Sequence, residues 1–570
     1  MADKATEISQ YRIYSVMAVM CAAGLVLVGQ LVRWQIIEHH QFVAMAEQEH
    51  QDELLIPPRR GEIRDRNGRM LAADLIEYDL SASPGIISDP EKTADQLARL
   101  FDMPRDGLLQ TLTSESTWLP VAQDISQETA ETIDSWGLVG LQLDPQARRV
   151  YPEGDTAAHV LGFVNSNGNG FYGVEGYYDN LLKGKAGVQV GEKNPFGKMI
   201  PLGIGHFVPP VAGGTVYLTI DRSVQSLIEQ ELEKAVVGYG AQRGSVVVLQ
   251  PKTGAVLGMA SYPAYNPNNY SQSDENLFFD PVVSEQYEPG SVFKIITMAA
   301  GLDAGVVTPE TIIYDGGSME VGGRVIYNWD RQGHGNVNMT EVLAQSLNVG
   351  AAQVAAALGK DRFYTYVKRF GFGRLTEIDL GSEGPGTLKT PQDANWYQSD
   401  LGTNSFGQGI AVTPMQITAA VAAIANDGLL MKPHVVQRVV NGERDVEVPS
   451  TPVRWAVTAE TAHTLTGMLV EALKKADSQA IVPGYKIAGK TGTAEIPVPG
   501  GYHPTLTLAS FVGFLPADDP QIVVLVIIDR PTSSRWGSKT AAPTFRSIAQ
   551  QLVVLLNIPP DDMRLASKSQ

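Results

Sequence analysis

The spacing of apolar positions changes several times along this 570-residue chain, and each change predicts a different kind of element. Residues Ile13 to Val32 form an uncharged run of 20. At about 1.5 Å per residue such a run spans roughly 30 Å, the thickness of a bilayer's hydrocarbon core, and Trp34 suits the interface beyond it. A cleaved signal peptide has a shorter apolar core with a small-residue site close behind. Ala44-Met45-Ala46 has the right letters but lies well past the run. The pattern therefore predicts an uncleaved anchor over 13–33. From Arg33 to about Leu55 there is no Gly or Pro, so the helix is expected to continue as a stalk until Pro57-Pro58 stops it. Asn67-Gly68 predicts a hairpin within a charged stretch, and residues 75–145 read as mixed short helices and strands.

A new pattern begins near Gly213. Thr215–Ile220 predicts a strand, Asp221 an N-cap, and Val224, Leu227, Ile228, Leu232 and Ala235 follow helical spacing. Two strand runs, Ser245–Leu249 and Ala255–Met259, flank Pro251-Lys252-Thr253-Gly254, which suits a tight turn. A helix-rich middle from about 290 to 430 gives way to strand runs at 484–530, including Leu506–Phe514 and Ile522–Asp529. Pro543 is expected to open a last helix with Phe545, Ile548, Ala549, Leu552, Leu555 and Leu556 on one face, and the tail after Pro560 is polar and expected to be loose. Strands at both ends with helices between predict an α/β (α+β) domain whose mainly antiparallel sheet is closed by the two ends of the segment. The organisation expected is a tail (1–12), the anchor (13–33), a non-catalytic region (34–212), a catalytic domain (213–560) and a polar tail (561–570).

The net charge of −18 argues against a nucleic-acid partner, which calls for a basic face. The one cysteine, Cys21, lies inside the apolar run, so the rest of the chain has neither disulfides nor cysteine metal ligands. Lys4 and Arg12 precede the run, whereas acids dominate after Arg33, which favours a cytoplasmic N-terminus with the rest of the chain outside.

Three short motifs carry chemistry. Ser291-Val-Phe-Lys294 is the chain's one Ser-x-x-Lys and leads into a helix-like stretch. A lysine three residues along a helix reaches the serine hydroxyl, and a partly desolvated lysine can take its proton. Ser346-Leu-Asn348 is the one Ser-x-Asn, and Lys490-Thr491-Gly492-Thr493 follows a strand-like segment. The order matches the S-x-x-K, S-D-N, K-T-G signature of serine D,D-peptidases and β-lactamases, with Leu347 where class A β-lactamases have Asp. Lys252-Thr253-Gly254 is a second K-T-G, read as a hairpin tip without catalytic role.

With its anchor, the Arg59-Arg60-Gly…Asp65-Arg66-Asn67-Gly68 opening, Gly173-Val-Glu-Gly, Tyr262-Pro-Ala-Tyr-Asn-Pro-Asn, Gly333-His-Gly and Ser405-Phe-Gly-Gln-Gly, the chain resembles the class B penicillin-binding proteins, monofunctional peptidoglycan D,D-transpeptidases. The resemblance implies a penicillin-binding transpeptidase fold beside an N-terminal pedestal. It implies that Ser291 attacks the D-Ala-D-Ala bond of a stem peptide, Lys294 is the base, Ser346 relays a proton, Asn348 holds an amide and Lys490 supplies positive charge. Thr491 and Thr493 would bind the terminal carboxylate, Gly492 would belong to the same substrate-binding segment, the backbone N–H groups of Ser291 and Thr493 would form the oxyanion hole, and β-lactams would acylate Ser291. No cofactor or metal is implied, and His334 is expected to have a loop role. Implied partners are a polytopic membrane glycosyltransferase and other wall-synthesis proteins at the bacterial inner membrane. The short segment after Lys490-Thr-Gly-Thr and the Ala541-Ala-Pro-Thr-Phe ending favour septal over side-wall synthesis. A β-lactamase, or a non-enzymatic β-lactam sensor or scaffold, stands as the alternative; a sensor would have only about 12 residues inside the cell.

Overall fold

The structure, a computed structural model, describes residues 2–42, 51–192 and 206–568. Its packing divides the chain into two units, Met1–Arg59 with Gly184–Ala212, and Arg60–Lys183 with Gly213–Gln570.

The larger unit is organised around a five-stranded sheet made of β1 (Arg243–Leu249), β2 (Val256–Tyr262), β3 (Ala488–Val498), β4 (Gly501–Leu515) and β5 (Ile522–Asp529). Their order is β2-β1-β5-β4-β3, with every neighbouring pair antiparallel. The inner strands β1 and β5 carry nearly continuous apolar runs, Val246–Leu249 and Ile522–Ile528, because both of their faces are covered. Side chains alternate between two cores. Val246, Val248, Phe511 and Val524 pack with Ile228, Leu232, Phe545 and Ile548, from helices Arg222–Gly238 and Ala541–Leu555. Val247, Val512, Phe514 and Leu525 pack instead with the larger core, which includes the wholly buried helix Pro414–Ala425. Asp221 caps the first of these helices through Ser223 N–H and Val224 N–H, as its position predicts. The Lys252 turn is the β1–β2 hairpin connection, and its lysine pairs with Asp519 on the surface.

Thr215–Leu218 is a strand, but its partners are not in this sheet. It runs parallel to Ile63–Arg64 and antiparallel to Val436–Asn441, so the sequence just after 213 shares a sheet with the sequence just after 60. The Asn67-Gly68 turn forms, with Gly68 at φ +84° and its N–H on Asp65 O. Of the charges around it, Asp65 and Arg60 are buried, Glu62, Arg64 and Arg66 are half-buried, and Arg59 and Arg69 are exposed. Glu175, fully buried, accepts from Arg60 Nε and Arg149 Nε at 2.7 Å each, while Arg60 also pairs with Asp179 and Arg149 with Asp74. His159 is buried against Tyr265, and desolvation lowers its pKa to about 4.

In the smaller unit a helix spans Ala2–Val32 and passes into a π-helical turn, Arg33–Ile37. Tyr11–Ile37 is long and apolar enough to cross a membrane. The predicted helical stalk to Leu55 does not hold at its far end: Gln51–Ile56 is a strand, paired antiparallel with Gly187–Glu192. A distant segment satisfies its backbone, which local absence of Gly and Pro cannot reveal. Ala44–Ala46 lie outside the described residues.

Two expectations at the C-terminal end are corrected. The last core helix starts at Ala541, two residues before Pro543, and Leu555 is exposed. The tail is not loose over 561–568. Asp561–Lys568 is helical, Asp561 accepts from Lys486 N–H at 2.6 Å, and Arg564 is buried between Asp518 and Asp561.

Candidate active site

Gly290–Phe293 forms one 3₁₀ turn that runs directly into the helix Lys294–Asp303. The helical rise brings Lys294 Nζ to 3.0 Å from Ser291 Oγ. The same nitrogen donates to Ser346 O at 2.6 Å and to Asn348 Oδ1 at 2.8 Å, and lies 3.2 Å from Ser346 Oγ. Ser346 sits between helices Met339–Ala344 and Asn348–Leu358 with φ +57°, a left-handed conformation that a non-glycine residue adopts at a cost. That conformation turns both its carbonyl and its hydroxyl toward Lys294. Asn348 opens the second helix and donates from Nδ2 to Tyr327 O at 3.0 Å, which fixes its amide oxygen toward the lysine.

Lys490 comes from β3, the edge strand of the sheet. Its Nζ donates to Ser346 Oγ at 3.0 Å, so Ser346 Oγ lies between the two lysines. Thr491 and Thr493 follow on the same strand, and Thr493 Oγ1 accepts from Gly537 N–H at 3.1 Å. Gly492 is required by close approach. A Cβ there would stand 2.3 Å from Ser510 Oγ, 2.9 Å from a Val292 methyl and 3.2 Å from Pro289 O. The absence of a side chain lets β3 lie against the turn that carries Ser291.

Both lysines are buried, Lys294 at 1 % exposure and Lys490 at 4 %. Desolvation, with the positive charge of Lys490 second, holds the Lys294 pKa well below the ordinary lysine value. Desolvation alone brings Lys490 down to about 8. A neutral Lys294 has two N–H donors and one lone pair. The two donors match the carbonyl of Ser346 and the amide oxygen of Asn348, which leaves the lone pair facing Ser291 Oγ. The arrangement can accept a proton from that hydroxyl. Six of the seven side chains named from the sequence, Ser291, Lys294, Ser346, Asn348, Lys490 and Thr491, form one hydrogen-bonded cluster, because Lys490 Nζ also reaches Thr491 Oγ1 at 3.4 Å; Thr493 lines the adjoining cavities without a bond to it.

Two cavities meet at Ser291. One, of about 580 Å³, is lined by Ser346, Lys490, Thr491 and Thr493. The other, of about 360 Å³, is lined by Asn348, Thr493, Tyr502 and three arginines, Arg324, Arg331 and Arg535. Trp329 and Trp536 border both, edge to face at 5.5 Å. Sequence reasoning did not find these aromatic and basic residues: Trp329, Arg331, Arg535 and Trp536 sit in connecting segments, Arg324 opens a four-residue strand and Tyr502 lies at the start of β4, and none carries a motif signal. His334 pairs with Asp330 at 3.0 Å, and among the described residues no group of three or more His, Cys, Asp or Glu side chains could hold a metal ion.

Comparison with known proteins adds to this geometry. Residues 244–550 match the penicillin binding protein transpeptidase domain, and residues 55–218 match the penicillin-binding protein dimerisation domain. Stage V sporulation protein D of Bacillus subtilis is 34 % identical over 94 % of this chain and 84 % of its own length. Peptidoglycan D,D-transpeptidase FtsI of Escherichia coli is 29 % identical over 97 % of this chain and 94 % of its own. The crystal structure of penicillin binding protein 3 from Mycobacterium tuberculosis in complex with aztreonam superposes with a TM-score of 0.70 at 28 % identity, covering 89 % of this chain and 98 % of that one.

Proposed function

Because the chain belongs to the penicillin-binding protein transpeptidase family, we propose that it is a peptidoglycan D,D-transpeptidase whose nucleophile is Ser291 and whose general base is Lys294. The observation that carries this reading is the buried Lys294 amine, held by Ser346 O and Asn348 Oδ1 with Ser291 Oγ 3.0 Å away. Ser291 Oγ attacks the carbonyl carbon between the two D-alanines of a donor stem peptide, and its proton passes to Lys294. The charge that develops on the carbonyl oxygen is taken by the backbone N–H groups of Ser291 and Thr493; one such donor typically contributes about 10²–10³ in rate. Collapse breaks the C–N bond. The departing D-alanine amine takes a proton through Ser346 Oγ, which bonds to Lys490 and lies near Lys294. An amine of a second stem peptide then attacks the ester carbonyl, its proton passes through Lys294 to Ser291 Oγ as the ester C–O bond breaks, and Ser291 is released with the cross-link made. Lys490, Thr491 and Thr493 bind the donor's terminal carboxylate, and Asn348 a substrate amide. A β-lactam carbonyl meets the same nucleophile.

In this reading Tyr11–Ile37 anchors the chain in the bacterial inner membrane with its N-terminus in the cytoplasm, the span 13–33 at its centre, 34–212 as pedestal and 213–560 as the catalytic region. A polytopic glycosyltransferase that makes the glycan strand is the expected partner. The tight β3–β4 turn, closed by the Val498–Gly501 pair, supports the short segment used to assign a septal rather than a side-wall role. The test is Ser291→Ala in the full chain. Labelling by a fluorescent penicillin and cross-linking in cells should both be lost, and a variant that still labels at another residue and restores cross-linking would refute the assignment. A fluorescent fusion at midcell supports the septal role, whereas lateral patches would contradict it.

A further inference from the structure

The Ser405-Phe406-Gly407-Gln408-Gly409 segment has no part in the chemistry above, yet it wraps the turn that carries Ser291. Ser405 O accepts from Thr297 Oγ1 at 2.7 Å, on the helix that follows the nucleophile. Gly407 O accepts from Gly290 N–H at 3.1 Å. A Cβ at Gly407, whose φ is +81°, would stand 2.3 Å from Gly290 O, so the two backbones meet only because that position has no side chain. Tyr287 and Val412 exchange both of their backbone bonds at 2.9 Å. Backbone contacts thus line up 405–412 along the approach to Ser291.

Glu288 reaches further. Its Oε1 accepts from Gly409 N–H at 2.8 Å and from the Tyr502 hydroxyl at 3.3 Å, the second being long for an O–H donor. Tyr502 lies on β4 and pairs across the hairpin with Pro497 of β3. From the same turn Gln408 Nε2 donates to Glu495 Oε2, also on β3, at 3.4 Å. From Glu495 through Leu506 every residue of the hairpin is half-buried or exposed, and these two bonds tie it back to the nucleophile side. Thr493 lies two positions before Glu495 on the same strand.

The other carboxylate oxygen, Oε2, is buried and bonds to no group among the described residues. Burial raises the pKa of this carboxyl, and Glu495 adds to the rise, against the Gly409 and Tyr502 bonds and the charge of Arg324. A carboxyl with one oxygen buried and unmatched is destabilising, which points away from a purely stabilising role. We propose that Glu288 is a positioning residue for acylation: bonded to Gly409 and Tyr502, it holds the β3–β4 hairpin against the Ser291 turn and so sets the separation of the Ser291 and Thr493 backbone N–H groups. This rests on the transpeptidase reading and adds a residue to its mechanism. Glu288 touches no reacting atom. Its effect passes through Thr493, whose N–H must meet the charge developing on the substrate oxygen.

The experiment uses the full chain in detergent and stopped-flow labelling by a fluorescent penicillin. Three quantities are read: the acylation constant at saturating penicillin, the concentration that gives half of it, and the fraction of protein finally labelled. Glu288→Ala should lower the acylation constant about tenfold while the half-saturating concentration and the labelled fraction stay near wild type. Glu288→Gln keeps an acceptor oxygen for both donors and should stay within about threefold of wild type. Tyr502→Phe should slow acylation about threefold in the wild-type chain and have no further effect in Glu288→Ala, since both changes remove one bond. A loss confined to the labelled fraction, with the labelled molecules reacting at the wild-type rate, means a merely structural role and overturns the proposal. So does a Tyr502→Phe effect of equal size with and without Glu288. Should Glu288→Ala not fold, Tyr502→Phe carries the test by itself, and a wild-type acylation constant there overturns the proposal. If the penicillin does not acylate wild-type Ser291, the transpeptidase reading itself fails, which is a different result.

Discussion

Replacing Lys490 by Met should make the folded chain more stable near neutral pH while removing most of its acylation activity. Lys490 is 4 % exposed and its pKa is lowered by burial from 10.5 to about 8. That depression corresponds to about 3 kcal/mol between the charged and neutral forms. The sign follows from proton binding in the two states. Below about pH 8 both hold the ammonium, and the folded state carries the full desolvation penalty. Between about 8 and 10.5 the unfolded state binds more protons, so stability rises with pH; above 10.5 the penalty is gone. Methionine fills a similar volume without charge. The substitution forfeits the bond to Ser346 Oγ, worth about 1–2 kcal/mol. It also removes the positive charge that disfavours protonated Lys294. The expected outcome is a net gain of about 1–2 kcal/mol at pH 7, vanishing or reversing by pH 10, with acylation reduced about 10²–10³-fold. Urea unfolding of the full chain followed by tryptophan fluorescence at pH 7 and pH 10 measures the first, and stopped-flow labelling with a fluorescent penicillin the second. A variant that loses more than about 1 kcal/mol at pH 7, or whose difference from wild type does not change with pH, would show that the buried ammonium is not the dominant cost at this position.

The rate of acylation should be bell-shaped in pH, because Lys294 must be neutral to accept a proton and Lys490 must be charged; the alkaline limb should fall at about pH 8 and move upward in Lys490→Arg. Glu175→Ala leaves Arg60 and Arg149 facing each other without their carboxylate, and should cost about 3–5 kcal/mol in chemical denaturation with no direct effect on Ser291 chemistry in the protein that remains folded. Gly492→Ala places a Cβ 2.9 Å from a Val292 methyl and should slow acylation at least about tenfold by displacing β3 from the Ser291 turn; an unchanged rate would mean that the strand has room to move.

The reactive set was legible because its spacing is local chemistry. Ser291 and Lys294 are one helical turn apart, Ser346 and Asn348 bracket a helix start, and Lys490 to Thr493 lie along one strand. Helix Arg222–Gly238 and the strands of the central sheet were legible for the same reason, since cap and period are written into adjacent residues. Arg60 looked like part of a charged turn; with Asp74, Arg149 and Glu175, up to 115 residues away, it forms a buried network only when four segments meet. The strand at Gln51–Ile56 and the pairing of Thr215–Leu218 with Ile63–Arg64 were hidden similarly, because a strand's partner leaves no mark on the strand's own pattern.

The sequence by itself determined which residues form the candidate set and that an apolar helix precedes them. It did not determine their ionisation. Burial to 1 % and 4 % exposure, the like charge of a lysine 196 positions away, and the left-handed turn at Ser346 fit Lys294 to the proposed role of base, and each depends on segments brought together only by folding. The Trp329–Trp536 pair and the arginines beside it were decided at the same level. Desolvation and Coulomb interaction depend on distance in space, and a linear chain carries no record of that distance except where the residues are neighbours.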